Sequence, residues 1–344
     1  MDVSNIRRTC PARATAGSRP RRQGQSGVDH ARASRRRGRR GARHMTEHRS
    51  IGFLLHPGEQ PAVQGAIARA QACGFGVWTA LDRPEDAVAE HASDAKLLVT
   101  VGGDGTFLYG ARLAAPRAIP VMGANRGRLG FLNDVEIDQL PDAITRFCSG
   151  EYSIQRRSLI DVELGGEGEA ARALALNEVV VRARDVNVAR LRVDADSDLL
   201  GVFDSDGIVV ATATGSTAYA LSAGGPPVDP RLRALVVVPL APHAVISRAV
   251  VIPDAVRVRV TVERGHVFVA VDGASIGDLT DDGDVLVRPG PDLAVVRFAD
   301  SPTFHERLRQ KFRFGVPHKE LETRDTVDAE PERLEPGKAL HDAS

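Results

Sequence analysis

The spacing of apolar residues changes character once along the chain, near residue 150. Before that point, short apolar runs alternate with stretches of helical period. Strands are predicted at 51–55 and 75–79, helices at 61–73 and 84–92, and a further strand from Lys96 to Val101. That last run, Lys-Leu-Leu-Val-Thr-Val, is apolar almost throughout beyond Lys96 and stops at Gly102-Gly103, as a strand covered on both faces of a parallel sheet would. A helix from Ile137 to Cys148 closes this part. Alternating β and α units predict a parallel sheet covered by helices.

From 153 to 298 the period shortens to that of strands joined by tight turns. Strands are predicted at 159–164, before Gly165-Gly166, and at 174–181, 256–262, 267–271 and 285–288, with Arg264-Gly265 and Asp272-Gly273 as hairpin signals. One short helix interrupts this mostly antiparallel β region near Ser216 to Ser222. Further on, Phe304, Leu308 and Phe312 recur at every fourth position, so a helix there carries an apolar stripe that must dock on the body. The predicted organisation is an α/β domain at 45–150, a β-rich domain at 151–300, a docking helix at 301–316 and an acidic tail at 317–344, expected to be disordered.

At 344 residues and 42% apolar, the chain is long enough for two cores. Its formal net charge of zero hides an asymmetry, because residues 1–44 hold 13 Arg against only Asp2 and Asp29. The leader lacks spaced apolar residues that could offset the entropy of ordering, so disorder is expected. It reads as an Arg-rich tail, an organellar transit peptide, or an upstream stretch joined to a gene that starts at Met45. The last is favoured because Met45 sits six residues before the first strand. The longest apolar run, Ala234 to Ile246, is broken by Pro239, Pro242 and His243 and is too short to span a bilayer. Cys10, Cys73 and Cys148 are isolated in sequence, with no zinc spacing, and fit a reduced cytoplasmic protein. No membrane or nucleic-acid partner is expected.

Four motifs carry chemistry. Gly102-Gly103-Asp104-Gly105-Thr106 follows the buried strand and precedes a helix, so backbone N–H groups and the helix dipole offer a phosphate seat. A carboxylate beside phosphate is repulsive unless it meets Mg²⁺ or takes a proton, which makes Asp104 a candidate for chemistry; the plain alternative is an N-terminal cap. Gly123 to Leu132 is a second Gly-rich loop, in which Phe131 offers a flat face for a base or ribose, or simply fills the core. Asn177-Glu178 pairs an amide with a carboxylate that could grip a diol, or is a polar pair at a strand edge. The longest motif runs from Asp206 to Pro226, where a strand of small and β-branched residues enters Thr214-Gly215-Ser216-Thr217 and a short helix with Tyr219 and Ser222 on one face.

Taken together and in order, these motifs resemble the NAD kinase family, over about residues 50 to 313. Gly-Gly-Asp-Gly-Thr alone would be shared with lipid kinases and phosphofructokinases; Asn-Glu followed by Thr-Gly-Ser-Thr-Ala-Tyr separates NAD kinases from them. The resemblance implies transfer of a phosphoryl group from ATP or polyphosphate, with Mg²⁺ and no dedicated protein metal site, to the 2′-hydroxyl of NAD or NADH. It implies that Asp104 activates that hydroxyl with Gly105 beside it, that Phe131 and Leu132 line the NAD pocket, and that Asn177 and Glu178 hold ribose. It further implies that Asp206 contacts the nicotinamide half, that Thr217, Ala218, Tyr219, Ala220, Leu221 and Ser222 wrap the nucleotide, and that Arg190 and Ala241 are weaker contacts. The family also implies a homo-oligomer, dimer or tetramer. Departures are Thr212-Ala213-Thr214 where Thr-Pro-Thr is usual, Arg126 where an apolar residue is common, and Asp204 near a position where NAD-strict enzymes resemble one another in carrying Arg. The alternatives are a lipid kinase of the same superfamily and a non-catalytic nucleotide-binding regulator.

Overall fold

A computed structural model describes residues 49–55, 60–81, 84–125, 127, 130–165, 171–184, 186–244 and 248–315. The expected leader at 1–44, the tail at 317–344 and Arg126 lie outside the described residues. The first half runs β1 (Ser50–Leu55), α1 (Gln60–Ala72), β2 (Gly76–Ala80), α2 (Pro84–Glu90), β3 (Ala95–Val101), α3 (Asp104–Ala114), β4 (Val121–Asn125), β5 (Val135–Glu136) and α4 (Leu140–Ser149). Strands β1 to β5 pair in parallel, with β3 between β1 and β4. One face of this sheet packs Ile51, Phe53 and Val99 against α1 and α4, and the other packs Leu54 and Leu98 against Phe107 and Ala111 of α3. The predicted α/β half is present, with element ends shifted by a few residues at most.

The second half holds β6 (Ser153–Gly165), β7 (Arg172–Ala175), β8 (Glu178–Ala183), β9 (Ala189–Ala195), β10 (Asp198–Ser205), β11 (Gly207–Thr212), α5 (Tyr219–Ser222), β12 (Ala234–Leu240) and β13 (Val250–Pro253). It continues with β14 (Val258–Arg264), β15 (Val267–Val271), β16 (Ala274–Leu279), β17 (Asp284–Arg297) and α6 (Phe304–Phe312). An antiparallel sheet of order β13-β12-β11-β8-β15-β16 faces β6, β9, β14 and β17 across a core rich in valine. At its far end β17 also reaches β4, pairing Val295 with Val121 in parallel.

Three strand readings need correction. The strands predicted at 159–164 and 285–288 are the middles of 13- and 14-residue strands, β6 and β17, which pair along most of their length. Pro289-Gly290-Pro291 does not end β17, because the register shifts there and a bulge needs no donor from proline. The run 174–181 is broken at Leu176-Asn177, where the backbone N–H groups of 176, 177 and 178 leave the ladder and donate to the Asp272 carboxylate at 3.0, 2.8 and 3.2 Å. Arg264-Gly265 is no hairpin. Gly265, at φ +117°, lets the chain leave β14 in one sheet and enter β15 in the other. Asp272-Gly273 is a hairpin, with both residues at positive φ as a two-residue turn requires.

The two cysteines among the described residues are not isolated in space. Cys73 and Cys148, at the ends of α1 and α4, hydrogen-bond through their thiols, and burial, then this neighbour, pushes Cys148 up to about 12. Among the described residues no helix is long and apolar enough to cross a membrane.

Candidate active site

Strand β3 delivers Gly102 and Gly103 at the carboxyl edge of the parallel sheet. Gly102 sits at φ +149°, closed to residues with a Cβ, and Gly103 is the N-cap of α3. Asp104 is therefore the first helical residue, one past the cap position. Its carboxylate instead accepts from the Phe131 backbone N–H at 3.3 Å and from Asn133 Nδ2 at 3.2 Å. Asn133 also donates to the Gly102 carbonyl at 3.4 Å, so one buried amide ties Gly102 and Asp104 together. Gly130 is required for a different reason, since a Cβ there would collide with the Asp104 carboxylate. These bonds orient Asp104 rather than bury it, and the N-cap alternative does not describe what the side chain does.

The second Gly-rich loop is held by α6. A capping box of Thr303 and Glu306 starts this helix, and Leu308 is buried as the periodicity requires, but the firmest anchor is Arg307. Its guanidinium donates to the Gly130 carbonyl at 2.6 Å and the Asn133 carbonyl at 3.1 Å, and it ion-pairs with Asp134. Asp134 also holds Arg297 at 2.7 Å. Phe312 stacks on Phe131 at 5.2 Å, so one face of Phe131 is taken by the protein itself.

Phe131, Leu132, Thr214 and Thr217 line one side of a cavity of about 670 Å³; Ser153 to Arg157 of β6 and Phe304, His305 and Arg307 line the other. Gly105 faces away from this cavity, into a smaller apolar one of about 290 Å³ bounded by Leu54, Pro84 and Tyr109.

Asn177 and Glu178 join this neighbourhood through β11. The Thr212 hydroxyl donates to the Leu176 carbonyl at 2.5 Å, the Thr212 N–H donates to the Asn177 carbonyl at 2.8 Å, and a Cβ on Gly215 would collide with the Asn177 backbone. Ser216 closes the turn by bonding the Ala213 and Val228 carbonyls. Glu178 is 7% exposed, accepts from the Tyr219 N–H and leaves Oε2 without a partner. Burial, then the adjacent Asp272 carboxylate, pushes Glu178 up to about 7. Burial also raises Asp272, opposed by the three backbone N–H groups it accepts and by Arg112 at 3.3 Å.

Of the predicted residues, Phe131, Leu132 and Thr217 line the cavity, Asp104 is tied to it through the Phe131 N–H, and Glu178 is tied to the turn after Thr217 through the Tyr219 N–H; Asn177, Ala218, Tyr219, Leu221 and Ser222 are not among the lining residues. Ala220 is fully buried among Val209, Ala211 and Val236, so its side chain faces the core. Asp206 and Ala241 sit together at the opposite end of β11, where the Asp206 N–H donates to the Leu240 carbonyl. Six residues of strand put that end about 20 Å from Thr212. Arg190 is on β9, where it pairs with Asp204 at 3.0 Å and Glu263 at 3.2 Å outside the cavity. The sequence alone does not single out Asn133, Asp134, Arg157, Asp272 or Arg307. The Asp272-Gly273 turn and the helical stripe at 304–312 were the signals nearest to two of them.

Two family models match, an ATP-NAD kinase N-terminal domain over residues 26–152 and an ATP-NAD kinase C-terminal domain over 176–297. Both are NAD kinase domains, which leaves the lipid-kinase alternative without support. The NAD kinase of Heliobacterium modesticaldum is 39% identical over 236 residues, covering 67% of this chain and 83% of that protein. Among solved structures, yeast NADH kinase complexed with NADH aligns at TM-score 0.67 and 20% identity over 78% of this chain and 89% of that one. An Archaeoglobus fulgidus NAD kinase in complex with ATP aligns at 0.58 and 24% over 76% and 97%. These two likenesses carry the fold. The domain models in chain order and the coverage of a relative at this identity carry more: the chain is a phosphotransferase that belongs to the NAD kinase family.

Proposed function

We propose that the enzyme moves the terminal phosphoryl group of ATP or polyphosphate onto the 2′-hydroxyl of the adenosine ribose of NAD, with Asp104 taking the hydroxyl proton. The observation that supports this best is the orientation of Asp104. Two N–H donors hold its carboxylate against Gly130 and the backbone of Phe131, which lines the cavity. As the hydroxyl proton passes to Asp104, the ribose oxygen bonds to phosphorus and the donor leaves as ADP or a shortened polyphosphate. Such transfers depend mainly on positioning and charge neutralisation. Mg²⁺ bound with the donor phosphates would neutralise their charge, and Asp104 is the residue that would hold it.

In this reading the 45–150 segment supplies the reacting carboxylate, the 151–300 segment grips the dinucleotide through Asn177, Glu178 and the 217–222 turn, and the 301–316 helix walls the cavity. Bacterial relatives named NAD kinase support a cytoplasmic location. The test is purified enzyme with Mg²⁺, ATP or polyphosphate, and NAD or NADH. Absence of 2′-phosphorylated product from every pairing sinks the proposal.

We further propose a homo-oligomer, dimer or tetramer. Strand β13 is a sheet edge that exposes Val250 (38%) and Val251 (47%), an apolar ribbon that a second copy could cover. Light scattering that reports a monomer at micromolar concentration rejects this.

A further inference from the structure

Arg157, on β6, is the one cavity-lining arginine that is buried and lacks an acid of its own among the described residues. The residue is only 3% exposed, Nε has no hydrogen-bond partner, and the guanidinium donates to neutral Gln155 at 3.3 Å. Its cationic neighbours are otherwise engaged. Arg297 and Arg307 share Asp134, and Arg231 pairs with Asp229 at 2.6 Å. Burial, followed by repulsion from Arg297 and Arg307, works against the charge and pushes Arg157 down to about 10, with Asp134 and Asp104 acting in its favour. It remains a cation at neutral pH.

A buried charge without a paired counter-charge is costly, and proteins keep one where a ligand completes it. The cavity in front of Arg157 holds about 670 Å³ and adjoins Asp104 through Phe131. A guanidinium fork matches the paired oxygens of a phosphoryl group in charge and geometry, whereas an adenine, a ribose or a nicotinamide ring offers it no anion. We propose that Arg157 binds a phosphoryl group in this cavity, as the positioning residue that holds it against Asp104. This rests on the kinase reading above and deepens it. The phosphoryl group at Asp104 has two sources, the donor chain and the 2′-phosphate of the product; the pyrophosphate bridge of NAD is a third anion, and binding of NAD alone separates it from these two.

The experiment measures binding of tripolyphosphate, NADP and NAD to the full chain by calorimetry, in wild type, Arg157→Met and Arg157→Lys, with apo melting temperatures alongside. The expected result is that Arg157→Met melts no lower than wild type, because an unpaired buried charge is gone, while NAD affinity changes little. At least one phosphorylated ligand should weaken by about 10-fold or more, the scale of a charged hydrogen bond. Loss confined to tripolyphosphate assigns the donor chain, and loss confined to NADP relative to NAD assigns the 2′-phosphate. Arg157→Lys, which keeps the charge without the fork, should recover part of the loss and serves as the readout if the Met variant does not fold. Unchanged affinity for both ligands in a folded variant overturns the proposal, as does an equal loss for NAD, which would put Arg157 on the pyrophosphate bridge rather than on the group at Asp104. Wild type that binds tripolyphosphate but never phosphorylates NAD would sink the kinase reading and leave this one standing.

Discussion

Asp134 and Asp204 each hold two arginines, but the Asp134 side chain is 3% exposed and that of Asp204 is 32% exposed. Asp134 ties Arg307 of α6 and Arg297 of β17 together behind the loop that carries Phe131. Asp204 pairs with Arg190 and Arg264 on the open face of β9, β10 and β14. The chemistry of the contacts is the same and the surroundings are not. Where water is excluded, losing one partner leaves a charge that nothing else solvates; at the rim, solvent takes over most of the lost interaction. Charge around Asp134 therefore fixes the shape of the cavity, whereas charge around Asp204 only tints its surroundings.

The largest effect should come from breaking the buried cluster. Asp134→Ala strands Arg297 and Arg307 beside Arg157, so unfolding free energy should fall by about 3–5 kcal/mol, the usual cost of removing one member of a buried pair. Urea denaturation measures it, and a loss under about 1 kcal/mol would mean that the cluster is as solvated as the rim.

Next in size is the proposed base, Asp104. Asp104→Asn keeps the size of the side chain and one acceptor for Phe131 or Asn133 but cannot take a proton, so turnover should drop by about 10²-fold or more with the fold intact. Turnover within a few-fold of wild type would remove Asp104 from its role.

Glu178 gives a pH signature. Its folded-state value near 7 lies above the usual 4.5, so the folded protein holds a proton on Glu178 that the unfolded chain has already released between those two values. Stability consequently falls as pH rises through that window, and the full penalty is present above about 7. Glu178→Gln removes the titration while keeping an acceptor for the Tyr219 N–H. It should stabilise the protein at pH 8 by up to about 3 kcal/mol and by nothing near pH 4. Denaturation curves at the two pH values decide it, and equal effects at both would show that folding leaves the Glu178 titration unshifted.

These effects rank in a way that the sequence makes only partly legible. Local rules suffice for Gly102 to Thr106, because a buried strand, two glycines and a helix start are adjacent in the chain. They also place the short turn before Tyr219 and the docking helix at 304–312. They do not reveal that Asp272, readable as a hairpin residue, turns its carboxylate back onto the N–H groups of 176 to 178, since that pairing spans about a hundred residues of sequence. Arg157 and Arg307 look like ordinary charged positions until β6 and α6 are brought to the same cavity. Asp206 and Thr217 share one motif, yet β11 carries them to opposite ends of a strand. What sequence lacks is the long-range burial that decides whether a charge matters.

The smallest effect tests the rim side of the comparison. Oxidised nicotinamide carries a positive ring charge that the reduced form lacks, so an isolated carboxylate near the ring would favour NAD. Asp204 is not isolated: Arg190 at 3.0 Å and Arg264 at 3.4 Å cancel most of its field, and its side chain is 32% exposed. Asp204→Arg would add a third cation to that group and leave Glu263 as the nearest acid, yet a solvated pair is worth about 0–1 kcal/mol. The ratio of kcat/KM for NAD to that for NADH should accordingly change by less than about tenfold, with wild type using both substrates and modestly preferring NAD. Steady-state kinetics on the two substrates, for wild type and Asp204→Arg, measure the ratio directly. A wild type inactive on NADH, or a shift well beyond tenfold, would show that this position acts on the ring at close range and that the rim is less solvated than its exposure indicates.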